Sequence, residues 1–182
     1  MSKYYTGIGS SNSKRSKAKK YNPPKYALEM ATKIGKKLET KGWILRSGGA
    51  TGMDSAFEKL VSSKNKKIYT VDNFDFSPKN YDFCRKELES VMDKGYDLDG
   101  YNKYAQLLLL RDVNQIIGSP NMGDFMIKSR FVICWTPHTD YFKADIGGTR
   151  FAVRVALKYD IPVFNLVSEI DRNRINHWLG NT

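Results

Sequence analysis

The chain predicts an α/β fold, an open and mostly parallel sheet with helices on both faces, and three observations carry that expectation. Short apolar runs alternate with segments whose apolar residues recur at the helical period. Glycine-containing turns join strand to helix at Thr6-Gly7-Ile8-Gly9-Ser10-Ser11, at Ser47-Gly48-Gly49-Ala50-Thr51-Gly52-Met53-Asp54 and at Ile146-Gly147-Gly148-Thr149. The chain has 182 residues, 41% of them hydrophobic, which is enough for one substantial core and cramped for two.

Taken in order, a tyrosine-rich start makes the first strand. Tyr26, Leu28, Ala31, Ile34 and Leu38 then keep a helical period after Pro23-Pro24, with Gly42 as the stop. Trp43 to Leu45 read as a second strand, Asp54 to Val61 as a second helix, and Lys67 to Val71 as a third strand. This alternation implies right-handed crossovers between parallel strands. Between residues 72 and 126 it breaks down into a helical insert: a loop with Phe74, Phe76 and Pro78, a helix from about Tyr81 to Met92, and another from Tyr101 to Ile117. Leu107 to Leu110 are apolar on every side, which fits core packing or a partner surface. Phe131 to Trp135 form a continuous apolar strand suited to the middle of a parallel sheet. Residues 149–159 give a helix, Ile161 to Leu166 the last strand, and Ser168 to Trp178 a final helix capped by Ser168.

Composition narrows the function classes. The net charge is +11, and residues 1–47 hold 12 basic and 2 acidic side chains, so nearly all the excess lies there. Its densest part, Lys14 to Lys20 within a loop of about 12–25, is either a solvated loop, a clamp over a phosphate or a contact for nucleic acid. Cys84 and Cys134 lie far apart without metal-ligand spacing and read as buried free thiols, no metal site being expected. No window approaches a membrane span, the N-terminus lacks a signal-peptide apolar core, and a cytoplasmic location is expected.

In an open parallel sheet, glycine turns gather along the carboxyl edge of the strands, where ligands bind at the point of reversed strand order. Glycines permit close approach of backbone amides, and a helix start suits phosphate or carboxylate. The residues expected at such a site are Gly7, Gly9, Ser10 and Ser11 in the first turn, and Ser47, Gly48, Gly49, Thr51, Gly52 and Asp54 in the second. Gly147, Gly148 and Thr149 supply the third. Asp54 either bonds ribose hydroxyls or caps amides. Arg111 either holds a phosphate or forms a surface ion pair, for instance with Asp112 of a neighbour. Arg46 and Arg150 flank turns and face either ligand or solvent. Thr136 and Pro137 end the buried strand, and the nearby His138 is a base contact, a proton carrier or a plain loop residue. Trp135, Tyr141 and Phe142 suit either base stacking or core packing.

The three turns with their strands, followed by Ala152 and Ala156, resemble the SLOG superfamily of Rossmann-like proteins. That superfamily includes the DNA-processing protein A family, the LOG phosphoribohydrolases and nucleotide-sensing domains. The resemblance spans residues 3 to 167 and extends to small stand-alone proteins of bacteriophages. It implies a single Rossmann-like domain over residues 1–182 that binds a nucleotide or a nucleotide-derived signal, requires no cofactor and forms a homo-oligomer. It also implies two alternatives, single-stranded DNA binding and cleavage of a nucleoside monophosphate at its N-glycosidic bond. The LOG enzymes carry a motif glutamate where this chain has Ala152, and alanine moves no proton. Asp54, Glu58 and Asp145 are the carboxylates beside the turns that remain for such chemistry.

Overall fold

The computed structural model describes residues 3–11, 22–94, 97–143 and 147–180. Lys14 to Lys20, Asp145 and Ile146 lie outside the described residues. Five strands, β1 (Lys3–Gly9), β2 (Trp43–Ser47), β3 (Lys66–Ile68), β4 (Val132–Trp135) and β5 (Val163–Asn165), form one parallel sheet in the order β3-β2-β1-β4-β5. Thr6 pairs with Arg46 on one side and Val132 on the other, so β1 is central and the direction of winding reverses between β1 and β4.

Helices α1 (Lys25–Thr40), α2 (Met53–Glu58) and α6 (Glu169–Leu179) cover one face. Helices α3 (Pro78–Glu89), α4 (Lys103–Ile117) and α5 (Thr149–Lys158) cover the other. Strand side chains alternate between the two layers as the pleat requires. Tyr5, Ile133 and Trp135 pack with Ile34, Leu38, Phe57 and Ile175, whereas Ile8, Val132 and Cys134 pack with Leu110, Val113, Ile117 and Val153. Both cysteines are buried free thiols. Among the described residues no helix is long and apolar enough to cross a membrane.

Local chemistry sets the boundaries. In α1, Ala27, Ala31, Ile34 and Leu38 are buried on one stripe, and Gly42 follows at φ +76°. Asn102 caps α4 by accepting from the Ala105 amide at 3.0 Å, and α4 ends at Gly118, φ +90°. Ser168 caps α6 as expected, through the Asp171 amide. Strands β3 and β5 and helices α2 and α3 differ from the sequence expectation, β5 covering Val163–Asn165 and not Ile161 to Leu166. Helix α2 stops at Glu58, three residues before Val61. Strand β3 covers Lys66–Ile68 because Asn73 folds the chain back, its side-chain amide donating to the Ile68 carbonyl and its oxygen accepting from the Thr70 amide, both at 2.8 Å. Helix α3 starts at Pro78, where proline lacks only a hydrogen that a helix start leaves unused, and Ser77 caps it. Residues 72–126 thus supply α3 and α4, two of the three helices on one face of the sheet. Of the leucine run, Leu109 and Leu110 are buried, Leu107 packs against the same core, and Leu108 faces a cleft.

Candidate functional site

The carboxyl edge of the sheet is drawn together at β1 and β4. The Ser10 amide donates to the Trp135 carbonyl at 3.1 Å, the Met53 amide donates to the Ser10 carbonyl at 3.3 Å, and Ser11 bridges Gly52. A Cβ at Gly9 would stand 2.7 Å from both the Trp135 carbonyl oxygen and Met53 Cγ, so only glycine admits this approach. Above the junction opens a cleft of about 870 Å³, within the usual range for small-molecule sites. Gly9, Ser10 and Ser11 line it from the first turn, Thr51 and Asp54 from the second, and Gly147, Gly148 and Thr149 from the third. The remaining wall is one face of α4 and the segment before it, with Tyr101, Tyr104, Leu108, Arg111, Asp112 and Gln115, together with Arg150 and Phe151 of α5.

The second turn spends its amides on its own side chains. Gly48 and Ala50 donate to Asp54 Oδ2 at 3.2 and 3.4 Å, Gly49 donates to Glu58 Oε1 at 3.1 Å, and Gly52 donates to Ser55 Oγ at 3.1 Å. What the turn offers the cleft is therefore the Asp54 carboxyl more than a row of donors. Burial pushes that carboxyl up to about 7, against the pull of Arg111 and with added repulsion from Asp112 and Glu58. Arg111 Nη1 stands 3.8 Å from Asp54 Oδ2, 3.5 Å from Asp112 Oδ1 and 3.5 Å from the Tyr69 carbonyl oxygen. Its guanidinium lies directly on Gly48, where a Cβ would come within 1.3 Å of Nη1. Burial also raises the Asp112 carboxyl, while Arg111 and Gln115 oppose the shift. Gln115 Nε2 donates to Asp112 Oδ1 at 2.8 Å. Among the described residues, Gln115 Oε1, Ser10 Oγ and Arg111 Nε are buried without a hydrogen-bond partner.

Several expected site residues lie elsewhere. Gly7 is pressed against Phe57, where a Cβ would meet the ring at 2.6 Å. Ser47, Gly48, Gly49, Gly52 and Glu58 shape or cap the second turn behind the cleft wall, and Glu58 reaches the Gly49 amide. Arg46 is fully buried beneath the sheet edge. It pairs with Asp124 at 2.9 Å, donates to the Ile127 carbonyl at 2.6 Å and lies 4.0 Å from the centre of the Tyr4 ring. Neither ligand nor solvent reaches it, because β2 points this side chain into the α4 layer. Burial alone would raise the Asp124 carboxyl, but Arg46, the Ser119 amide, Tyr69 and Lys67 together hold it below its ordinary value. Thr136 is buried outside the cleft, donating from its hydroxyl to the His138 carbonyl at 2.7 Å, and neither it nor Pro137 lines the cavity. Trp135 packs in the core on the α1 side of the sheet, Tyr141 lies against the core on the α4 side, and Phe142 is exposed beneath Arg154. The cleft aromatics are Tyr101, Tyr104 and Phe151 instead.

Asp112 belongs to the same cleft as Arg111 and lies 3.5 Å from it within the chain. Tyr104, Leu108, Arg111, Asp112 and Gln115 share a single helical face, and that spacing was the available signal. Among the described residues no group of three or more His, Cys, Asp or Glu side chains is placed to hold a metal ion.

No protein-family model and no curated protein matches the chain. The structure is similar to one of DNA processing protein A from Helicobacter pylori, whose description concerns that protein's single-stranded DNA binding mode. The TM-score is 0.55 and the identity 17%, over 98% of this chain and 81% of the other. The chain therefore shares the Rossmann-like α/β fold of DNA processing protein A.

Proposed function

We propose that the protein binds a nucleotide or nucleotide-derived small molecule in the cleft at the β1/β4 reversal, as a sensing or sequestering module. The observation that carries this reading is that all three glycine turns contribute to one cleft at a topological switch point. The amino end of α5 supports it further, since Gly148 caps without a side-chain bond and the first turn carries no acidic residue, a setting that favours an anionic group. Tyr101 and Tyr104 offer aromatic surface for a base. A thermal-shift panel of nucleotides on the purified chain tests the reading. A ligand at one hundred times its dissociation constant stabilises the folded state by about 2.7 kcal/mol, which raises the melting temperature by several degrees. Absence of any shift across mono-, di- and cyclic nucleotides would overturn it.

Single-stranded DNA binding is the second reading, supported by the basic N-terminal third and by the description of the structure that shares this fold. It predicts anisotropy binding to an oligonucleotide that weakens steeply with salt and is lost when Lys14 to Lys20 are neutralised. Cleavage of an N-glycosidic bond has less support. Ala152 is buried in the α4–α5 core, and of Asp54 and Glu58, the described carboxylates expected beside the turns, Asp54 is the one that lines the cleft.

A further inference from the structure

Resting on the nucleotide reading, we propose that the α4 wall of the cleft, through Asp112, Gln115 and Arg111 together with Ser10, is a vicinal-diol subsite that makes the protein select ribose over 2′-deoxyribose ligands. Two independent observations meet here. The first is the arrangement of acceptors. Asp112 Oδ1 takes the Gln115 side-chain amide at 2.8 Å, which turns Gln115 Oε1 away as a further acceptor. Asp112 Oδ2 stands 3.9 Å from where a Cβ on Gly148 would lie, so the carboxylate faces the third turn. The second is unsatisfied polarity. Gln115 is 1% exposed and Ser10 7%, both line the cleft, and Gln115 Oε1 and Ser10 Oγ have no partner among the described residues. Buried polar atoms in that state cost free energy that a ligand group can recover.

The chemistry of the set identifies the group. Carboxylate and amide oxygens accept, Arg111 Nε donates, and the Ser10 hydroxyl does either. An ammonium would serve the acceptors but be repelled by the guanidinium, and it and a neutral amino group alike would leave Arg111 Nε unsatisfied. A phosphate at this wall would meet the Asp112 and Asp54 carboxyls, whereas the amino end of α5 and Arg150, which also line the cleft, suit it better. Neighbouring hydroxyls donate and accept at once, and so match both halves of the set.

The test is titration calorimetry of the full chain with adenosine, guanosine, cytidine and uridine monophosphates and the 2′-deoxy counterpart of each. The expected result is that each ribonucleotide that binds does so at least tenfold more tightly than its deoxy partner, because removing the hydroxyl leaves buried groups unpaired. In Asp112→Asn, which keeps the side-chain volume, that ratio falls toward one. Equal binding of ribo and deoxy forms by the wild-type chain overturns the diol subsite and leaves nucleotide binding standing. Affinity that follows the exocyclic amino group of the base also overturns it. Failure of every monophosphate to bind overturns the diol subsite, and the nucleotide reading falls with it only if di- and cyclic nucleotides also leave the melting temperature unchanged.

Discussion

Asp54 is a carboxylic acid held where a carboxylate is costly, and its consequence is measurable. Its proton is lost near 7 in the folded chain and near 3.8 in the unfolded one, so between those values the folded state holds the proton more tightly. The contribution of Asp54 therefore falls as pH rises from about 4 to about 7, with Asp112 adding a contribution of the same sign, whereas Glu39, Asp99 and Asp124, held below their ordinary values, act in the opposite sense at the acid end. Melting curves of wild type and Asp54→Asn from pH 4 to 8 should show a shallower decline in the variant, with Asp112 retaining part of it. A decline as steep in the variant would show that the burial cost lies elsewhere. The turn around Asp54 was legible from its glycines, because glycine spacing is a local property. The use of its amides was not, since Asp54 and Glu58 take up donors that the sequence leaves open to any acceptor.

At the scale of elements, the buried Arg46–Asp124 pair fastens β2 to the segment that leads from α4 into β4. Tyr69 donates to the same Asp124 Oδ2 at 2.7 Å and Lys67 approaches it at 3.2 Å, so two cations and one hydroxyl depend on one carboxylate. Removing it leaves the Arg46 charge buried and uncompensated, which costs about 3–5 kcal/mol. Asp124→Ala should thus lose that much by urea denaturation, whereas a loss under ~1 kcal/mol would mark the pair as incidental. No reading of residues near Arg46 could have found this, because its partner lies 78 positions away. Helices α1 and α6 were legible for the opposite reason: their stripes and their stop or cap signals are contained within each segment. Strand β3 was misjudged because the Asn73 turn, which ends it, is formed by side-chain bonds that an apolar pattern does not express.

For the molecule as a whole, β1 and β4 contribute side chains to both cores, so neither layer has a sheet of its own. Phe57→Ala on the α1 side and Leu110→Ala on the α4 side should each cost about 2–5 kcal/mol. Both should lower one shared melting transition, whether followed by far- or near-ultraviolet circular dichroism. Two separated transitions in either variant would contradict a single cooperative unit. The α/β class and the meeting of the turns could be anticipated, since crossover handedness leaves few topologies open. Which face of α4 would form the remaining wall depended on how that helix docks, and Asp112 and Gln115 were missed accordingly.

Met53 backs the cleft beneath Gly9 and at the same time belongs to the apolar cluster around Phe57. Mutational drift in that interior is thereby tied to what the mouth above it accepts: a repacked Met53 neighbourhood moves the first bend, and a bend reshaped for a new guest disturbs the packing below. Laboratory evolution for heat resistance and for changed ligand preference should converge on overlapping positions.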